Sequence, residues 1–395
     1  MKHYNFNQLA HIAGQTPFYF YDKKIIEQKI KELQHTFPKL SIYYAIKANP
    51  MPEMVSYIAK TIDGFDVSSL KELQLALNSS KQKNICFAGP GKSYQELLAS
   101  VYAGIVINVE SNKELQQLIE IKKVTKISPK ISLRINPDFS LKRSGVMMTG
   151  YASGFGIDED QIPEMLKKLH QNQIQLNGFH IYSGSQNLNE QALIESHKHI
   201  FQLIDNLITA HQLQIQQLNI GGGFGIPYFK GEETLNTKPI ADNLDQLISE
   251  MTEKHGKIEY ILELGRYLVG EAGYYVTKVV DIKTSKNKKI IIVDGGLHHH
   301  LANSGNFGQV IRKNYPILLE SMNKEKIPET NSINHKEVVD IYGPLCTPLD
   351  ILAKDIELEE IQIDDLIIIK QSGAYGKSAS PENFLSHPVC VELLL

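Results

Sequence analysis

Ile42-Tyr43-Tyr44-Ala45-Ile46-Lys47-Ala48-Asn49-Pro50 is an apolar, β-rich run that ends in a single lysine and is broken by Asn-Pro. The pattern puts the Lys47 amine at the mouth of a strand rather than on a solvated helix face. A lysine there can lose solvation, lower its pKa and become a nucleophile able to form an imine. It can equally be a solvated charge, and the rest of the chain has to decide.

Working outward, strands are expected near Ile42–Ile46, Ile62–Val67, Asn84–Ala88, Ile105–Val109, Ile131–Ile135, Leu176–Ile181, Gln217–Ile220 and Tyr260–Leu262. Amphipathic helical stretches lie between them: Ser69–Leu77, Ser93–Tyr102, Asn112–Ile121, Glu159–His170, Glu190–His211 and Ile240–His255. Eight strands alternating with helices over about 250 residues is what a (β/α)8 barrel requires, with a doubly wound open sheet as the alternative. After about residue 273 the texture changes. Tyr274–Ile282, Lys289–Val293, Glu337–Tyr342, Asp365–Lys370 and Val389–Leu395 follow one another without long helices, so this part reads as a mostly antiparallel β domain. Thr16–Tyr21 is strand-like and is assigned to that domain. The expected division is therefore a barrel over 25–272 and a β domain built from 1–24 and 273–395. Residues 321–337 are polar and read as a surface excursion.

A chain of 395 residues, 42% hydrophobic and 22% charged, has room for two such domains and is not disordered. With 44 acids against 41 bases there is no basic surplus to bind nucleic acid or an anionic membrane. The cysteines, Cys86, Cys346 and Cys390, are odd in number and far apart, which argues against a disulfide framework. The N-terminal residues lack an apolar signal core, and no run approaches the ~18–20 apolar residues of a spanning helix. A cytoplasmic location is the expectation.

In a barrel, chemistry sits at the C-terminal strand ends. There the chain places Lys47, Asp66, Arg134, Tyr182, the run Gly221-Gly222-Gly223-Phe224-Gly225 and Glu263-Leu264-Gly265-Arg266. Asp66 also reads as a helix N-cap and Arg134 as a structural ion-pair partner. Glycines without Cβ let backbone N–H groups converge on an anion, and loops after the seventh and eighth strands hold phosphate in this architecture. Gly265-Arg266 supplies a counter-charge. A lysine imine beside a phosphate cradle suggests pyridoxal 5′-phosphate (PLP).

The chain resembles the fold-type III PLP-dependent decarboxylases, the diaminopimelate and ornithine decarboxylase group, over essentially its whole length. The resemblance rests on Tyr44–Asn49, Phe65–Ser69 with Glu72, Gly184-Ser185-Gln186, Gly221–Gly225, Glu263–Arg266, Gly343-Pro344-Leu345-Cys346 and Gly373-Ala374-Tyr375-Gly376. It implies that Lys47 carries PLP as a Schiff base and that Glu263 faces the pyridine nitrogen. It also implies that Ser185, Gly221, Gly222, Gly223, Arg266 and Tyr375 bind the phosphate, with Asp66, Arg134, Tyr182 and Gly265 around the cofactor. The related alanine racemases have an arginine at the pyridine nitrogen, so Glu263 argues against racemization. Cys346 would reprotonate Cα after CO2 leaves and would reach the site from the other subunit, which implies a homodimer with shared sites.

Departures from the family pattern bear on the substrate. Tyr182 stands where the family has a histidine stacked on the ring. Thr347 and Pro348 follow Cys346, where diaminopimelate decarboxylases have a glutamate for the substrate's distal ammonium. Asp294-Gly295-Gly296-Leu297-His298-His299-His300 replaces the segment that carries their arginine for the distal carboxylate. Three consecutive histidines in an extended strand cannot all ligate one ion without a sharp turn, so no metal is expected and His298, His299 and His300 are read as substrate or interface contacts, with Thr347 also assigned to the substrate. These features most resemble a subgroup that decarboxylates a glutamyl group on an acyl-carrier protein in butirosin-type biosynthesis, and exopolysaccharide-associated decarboxylases. The expected substrate is thus an amino acid other than free diaminopimelate, possibly carrier-bound. The alternatives are a meso-diaminopimelate decarboxylase and a catalytically silent PLP-binding regulator.

Overall fold

The computed structural model describes residues 4–79, 84–139, 146–147, 149–307, 312–321 and 336–395. Residues 322–335, most of the polar stretch expected as a surface excursion, lie outside them. The chain divides into two compact units, Glu27–Pro227 with Glu233–Leu268, and Met1–Ile26 with Tyr228–Glu232 and Val269–Leu395.

The first unit is a closed parallel barrel. Its strands are β1 (Leu40–Ala45), β2 (Gly64–Val67), β3 (Asn84–Phe87), β4 (Val106–Val109), β5 (Lys130–Asn136), β6 (Leu176–His180), β7 (Gln217–Gly222) and β8 (Glu259–Leu264). Each pairs with its sequence neighbour, and β8 pairs with β1, from Tyr260 opposite Leu40 to Leu264 opposite Tyr44. That closing pair excludes the doubly wound sheet. The strands are buried almost throughout, which is why they read as apolar runs rather than as alternation.

Local chemistry sets the helix boundaries. Ser93 and Glu96 form a reciprocal capping box at Tyr94–Ala103, and Gly104 ends that helix in the left-handed region. Ser111 caps Asn112–Thr125, and Asn189 caps the long helix Glu190–His211. Helices Lys23–Thr36 and Pro52–Ile58 are additions to the sequence reading. Lys23–Thr36 buries Ile26, Ile30 and Leu33 at helical spacing, and Pro52 sits in the first turn of its helix, where proline is tolerated.

The second unit is built on an eight-stranded, mostly antiparallel sheet. Strands run Ile317–Glu320, Leu366–Ile369, Gly273–Ser285, Lys288–Val293, Glu337–Tyr342, Ile351–Leu358. Phe18–Tyr21 joins this sheet antiparallel to Gly273–Ser285 and parallel to Val391–Leu394. Phe6, Phe18, Phe20, Tyr274, Val276 and Ile368 form one of its apolar clusters. Tyr228–Glu232, which the sequence reading left in the barrel, belongs to this unit; the Tyr228 and Tyr315 ring centroids are 4.8 Å apart.

Candidate active site

Lys47 sits in the 3-10 turn Ile46–Ala48 directly after β1, with its side chain 40% exposed. Its Nζ lies 3.0 Å from Asp66 Oδ2 at the end of β2. Asp66 itself is 1% exposed. Glu72, from the next helix, accepts from Ser68 N at 2.7 Å and fixes the turn behind Asp66.

Glu263, buried in β8, accepts a 2.5 Å hydrogen bond from Asn219 Nδ2 of β7, and its other oxygen is 3.3 Å from His180 Nε2 of β6. Burial pushes the Glu263 carboxyl up, but His180, Lys47 and the Asn219 donor outweigh it and leave it at about 2. Asp66 moves the other way. Burial and the neighbouring Glu263 charge raise it to about 6, against the opposing pull of Lys47 and His180. One carboxylate is thereby held ionised and the other is poised near neutrality.

The glycine run closes this side of the barrel. Gly221 has φ +69°, and a Cβ there would sit 3.0 Å from Tyr182 Cδ2, so the Tyr182 ring lies directly against it. A Cβ on Gly222 would fall 1.8 Å from the Glu263 carbonyl oxygen, so close strand packing alone demands glycine there. The Gly221 N–H donates to Asn219 Oδ1 at 2.9 Å, and its anion-binding capacity is already engaged. The loops after β6 and β7 are stitched together: Asn187 N donates to Gly223 O, and Gln186 exchanges two hydrogen bonds with Ile226. Ser185, half-buried, lies in the first of these loops. Gly265 brings the loop after β8 against Ala45 and Ala48, beside Lys47, and Arg266 begins the short helix Arg266–Val269.

Two sets of expected residues differ from the sequence reading. Arg134 donates to both oxygens of Glu110, at 2.9 and 3.0 Å, with its guanidinium 5.0 Å from the Phe155 ring centroid. Its buried charge already has a full partner, which corrects the cofactor assignment toward the ion-pair alternative. His298, His299 and His300 are at most 1% exposed, so the substrate-facing role is corrected as well. His299 Nε2 faces Pro388 O at 2.9 Å, His300 Nε2 faces Ser372 Oγ at 2.9 Å, and His298 lies between the rings of His299 and His387. The cause is the turn that begins at Gly296, which folds the run into the interior of the β unit. In that unit Cys346 is exposed, Thr347 is half-buried, and Tyr375 adopts φ +54° in the turn after Leu366–Ile369.

Sequence reasoning passed over His180 and Asn219. His180 ends its barrel strand, and that position was the signal available; Asn219 lies inside its strand and carries no such mark.

Residues 23–270 match the family described as pyridoxal-dependent decarboxylase, pyridoxal binding domain. The chain is 36% identical to L-glutamyl-[BtrI acyl-carrier protein] decarboxylase of Niallia circulans, covering 96% of this chain and 89% of that one. It is 32% identical to diaminopimelate decarboxylase of Aquifex aeolicus, covering 98% and 88%. The crystal structure of Helicobacter pylori diaminopimelate decarboxylase complexed with L-lysine superposes with a TM-score of 0.86 at 29% identity, covering 99% and 94%. The chain therefore belongs to the pyridoxal-dependent decarboxylases, as a (β/α)8 barrel with a β domain. It is a PLP-dependent carboxy-lyase acting on an amino acid. The strand ends fit that cofactor: a reachable amine on Lys47, an ionised buried carboxylate on Glu263, and buried polar atoms without a hydrogen-bond partner on Asp66 (Oδ1) and His180 (Nδ1 and Nε2).

Proposed function

We propose that this decarboxylase acts as a homodimer on a glutamyl group carried by an acyl-carrier protein. The observation that carries the reading is the sequence after the candidate proton donor. Thr347 and Pro348 offer no charge for a distal ammonium, and the His298–His300 segment has no arginine for a distal carboxylate. A tethered acyl group needs neither, because its far end is held by the carrier. Identity of 36% to the carrier-linked glutamyl decarboxylase supports the same reading.

When bound, PLP supplies the sink for the electron pair left on Cα as CO2 departs. Lys47 would hold it covalently through Nζ, with Asp66 at 3.0 Å holding the amine's proton. Glu263, kept ionised by His180 and Asn219, would keep the pyridine nitrogen protonated. Ser185, Gly222, Gly223, Arg266 and Tyr375 would bind the phosphate, and Tyr182 would face the ring. The Cys346 thiol of one copy would return a proton to Cα in the site of the other.

The test is CO2 release by PLP-loaded protein from a glutamyl thioester of a carrier protein and from free meso-diaminopimelate, with Lys47→Ala as the blank. Lys47-dependent release from the thioester is expected. Release from free diaminopimelate alone would replace this reading by the second one, a diaminopimelate decarboxylase, which the structural likeness to the Helicobacter pylori enzyme favours.

A further inference from the structure

Cys346 occupies an exposed loop whose base is closed by Asp350. The Gly343 N–H donates to the Asp350 carbonyl at 2.9 Å, and the Asp350 side chain, 1% exposed, turns inward. Its Oδ2 accepts from Leu345 N at 2.8 Å, the residue next to Cys346. Its Oδ1 accepts from Leu297 N at 2.6 Å, the residue next to His298. One carboxylate thus holds two turns that are far apart in sequence.

Both turns are shaped to admit it. A Cβ on Gly296 would lie 2.3 Å from Asp350 Oδ1, and a Cβ on Gly343 would lie 2.2 Å from Oδ2. No other side chain fits at either position while the carboxylate stays in place. Burial raises the Asp350 carboxyl, and the two amide donors and His387 act against that rise.

We propose that Asp350 is a positioning residue: its carboxylate clamps the Cys346 turn to the His298 turn and so fixes where the thiol stands. The proposal rests on the reading of Cys346 as the proton donor at Cα. A carboxylate suits the task because it offers two acceptors to two amide N–H groups in fixed directions, whereas an amide side chain turns one donor against a donor. Displacing a reacting group by about 1 Å costs on the order of a hundredfold in rate.

The experiment compares Asp350→Asn with the unaltered holoenzyme. The expected result is a fall in kcat of about tenfold to a hundredfold, with KM and bound PLP held. Alkylation of Cys346 by iodoacetamide, followed on its peptide, should change by about threefold or more, while buried Cys86 and Cys390 remain unmodified. Wild-type kcat together with wild-type alkylation would overturn the proposal. Should Asp350→Asn fail to take up cofactor, amide exchange in the unaltered protein decides instead. Slow exchange at both Leu297 and Leu345 is expected, and fast exchange at either overturns the clamp. Cys346→Ala runs in parallel: unchanged turnover there refutes the proton-donor reading, while alkylation and amide exchange still judge the clamp.

Discussion

The barrel holds two four-membered charge clusters at its strand ends, built from nearly the same parts. One joins Lys47, Asp66, His180 and Glu263, and the other joins Lys92, Glu110, Glu114 and Arg134. Each pairs two carboxylates with two nitrogen-bearing side chains, and in each burial and neighbours drive the carboxyls in opposite directions. Glu110 is lowered, with Arg134 and Lys92 overcoming its burial, and Glu114 is raised by burial. The difference is access. Lys92 is 1% exposed on its side chain and donates to Gly89 O at 2.5 Å, while Glu110 takes Arg134 and the backbone of Gly89 and Gly156. Lys47, by contrast, is 40% exposed on its side chain beside the buried Asp66. A sealed cluster holds the fold together; an open one is able to receive a molecule.

Exchanging the lysines should give the largest contrast. Lys47→Ala is expected to abolish the covalent PLP adduct and lower turnover by at least about a thousandfold, with folding intact. Lys92→Ala should keep the adduct and lose about 3–5 kcal/mol of stability, because it leaves Glu110 and Glu114 buried with less charge compensation. Borohydride reduction followed by peptide mass analysis reads the first, and urea unfolding reads the second. A reduced adduct that survives in Lys47→Ala would refute the distinction.

Neutralising one carboxylate in each cluster is the next test. Glu263→Gln should retain PLP but lose about a hundredfold in kcat, since the ring nitrogen loses its anionic partner. Glu110→Gln should leave kcat nearly unaltered and lower stability by about 3 kcal/mol, through the uncompensated Arg134. Comparable kcat losses in both variants would mean that the second cluster also serves the chemistry.

Legibility in the sequence follows the same divide between local and distant partners. All eight barrel strands were readable, because β1–β8 are short, apolar and punctuated by capped helices. Glu190–His211 was readable to its ends, since Asn189 and the 3.6-residue pattern are both local. Strand Ile351–Leu358 was missed, because Ile-Leu-Ala-Lys-Asp-Ile-Glu-Leu does not alternate and only its pairing with Glu337–Tyr342 makes it a strand. Lys47, Asp66 and Glu263 were legible from their place at strand ends. Asn219 and Asp350 were not, because the groups they hold lie 44 and 53 residues away and no local pattern marks such a bond. The triple histidine misled for a related reason: it was read as an extended run, and the turn at Gly296 folds it inward.

The smallest expected effect concerns the open cluster's own cost to stability, in cofactor-free protein. Asp66 has a folded-state pKa of about 6 against an ordinary carboxyl value of 3.8. Between those values the native state binds more protons than the unfolded one, so stability falls as pH rises through this window. Above pH 6 the charged carboxylate is a full burden that the Lys47 pair does not remove. Asp66→Asn, which mimics the neutral form, should therefore stabilise the protein by about 2 kcal/mol at pH 7.5, and the gain should shrink as pH falls from 6 toward 4. Glu263 has the opposite sign: held at about 2, it contributes stability above its ordinary value of 4.5 that is lost as pH falls toward 2. Urea midpoints of wild type and Asp66→Asn at pH 4.5, 6 and 7.5 separate the two. A gain that is flat across this range would mean that Asp66 is ionised throughout, as Glu110 is in the sealed cluster, and that access alone distinguishes the two sites.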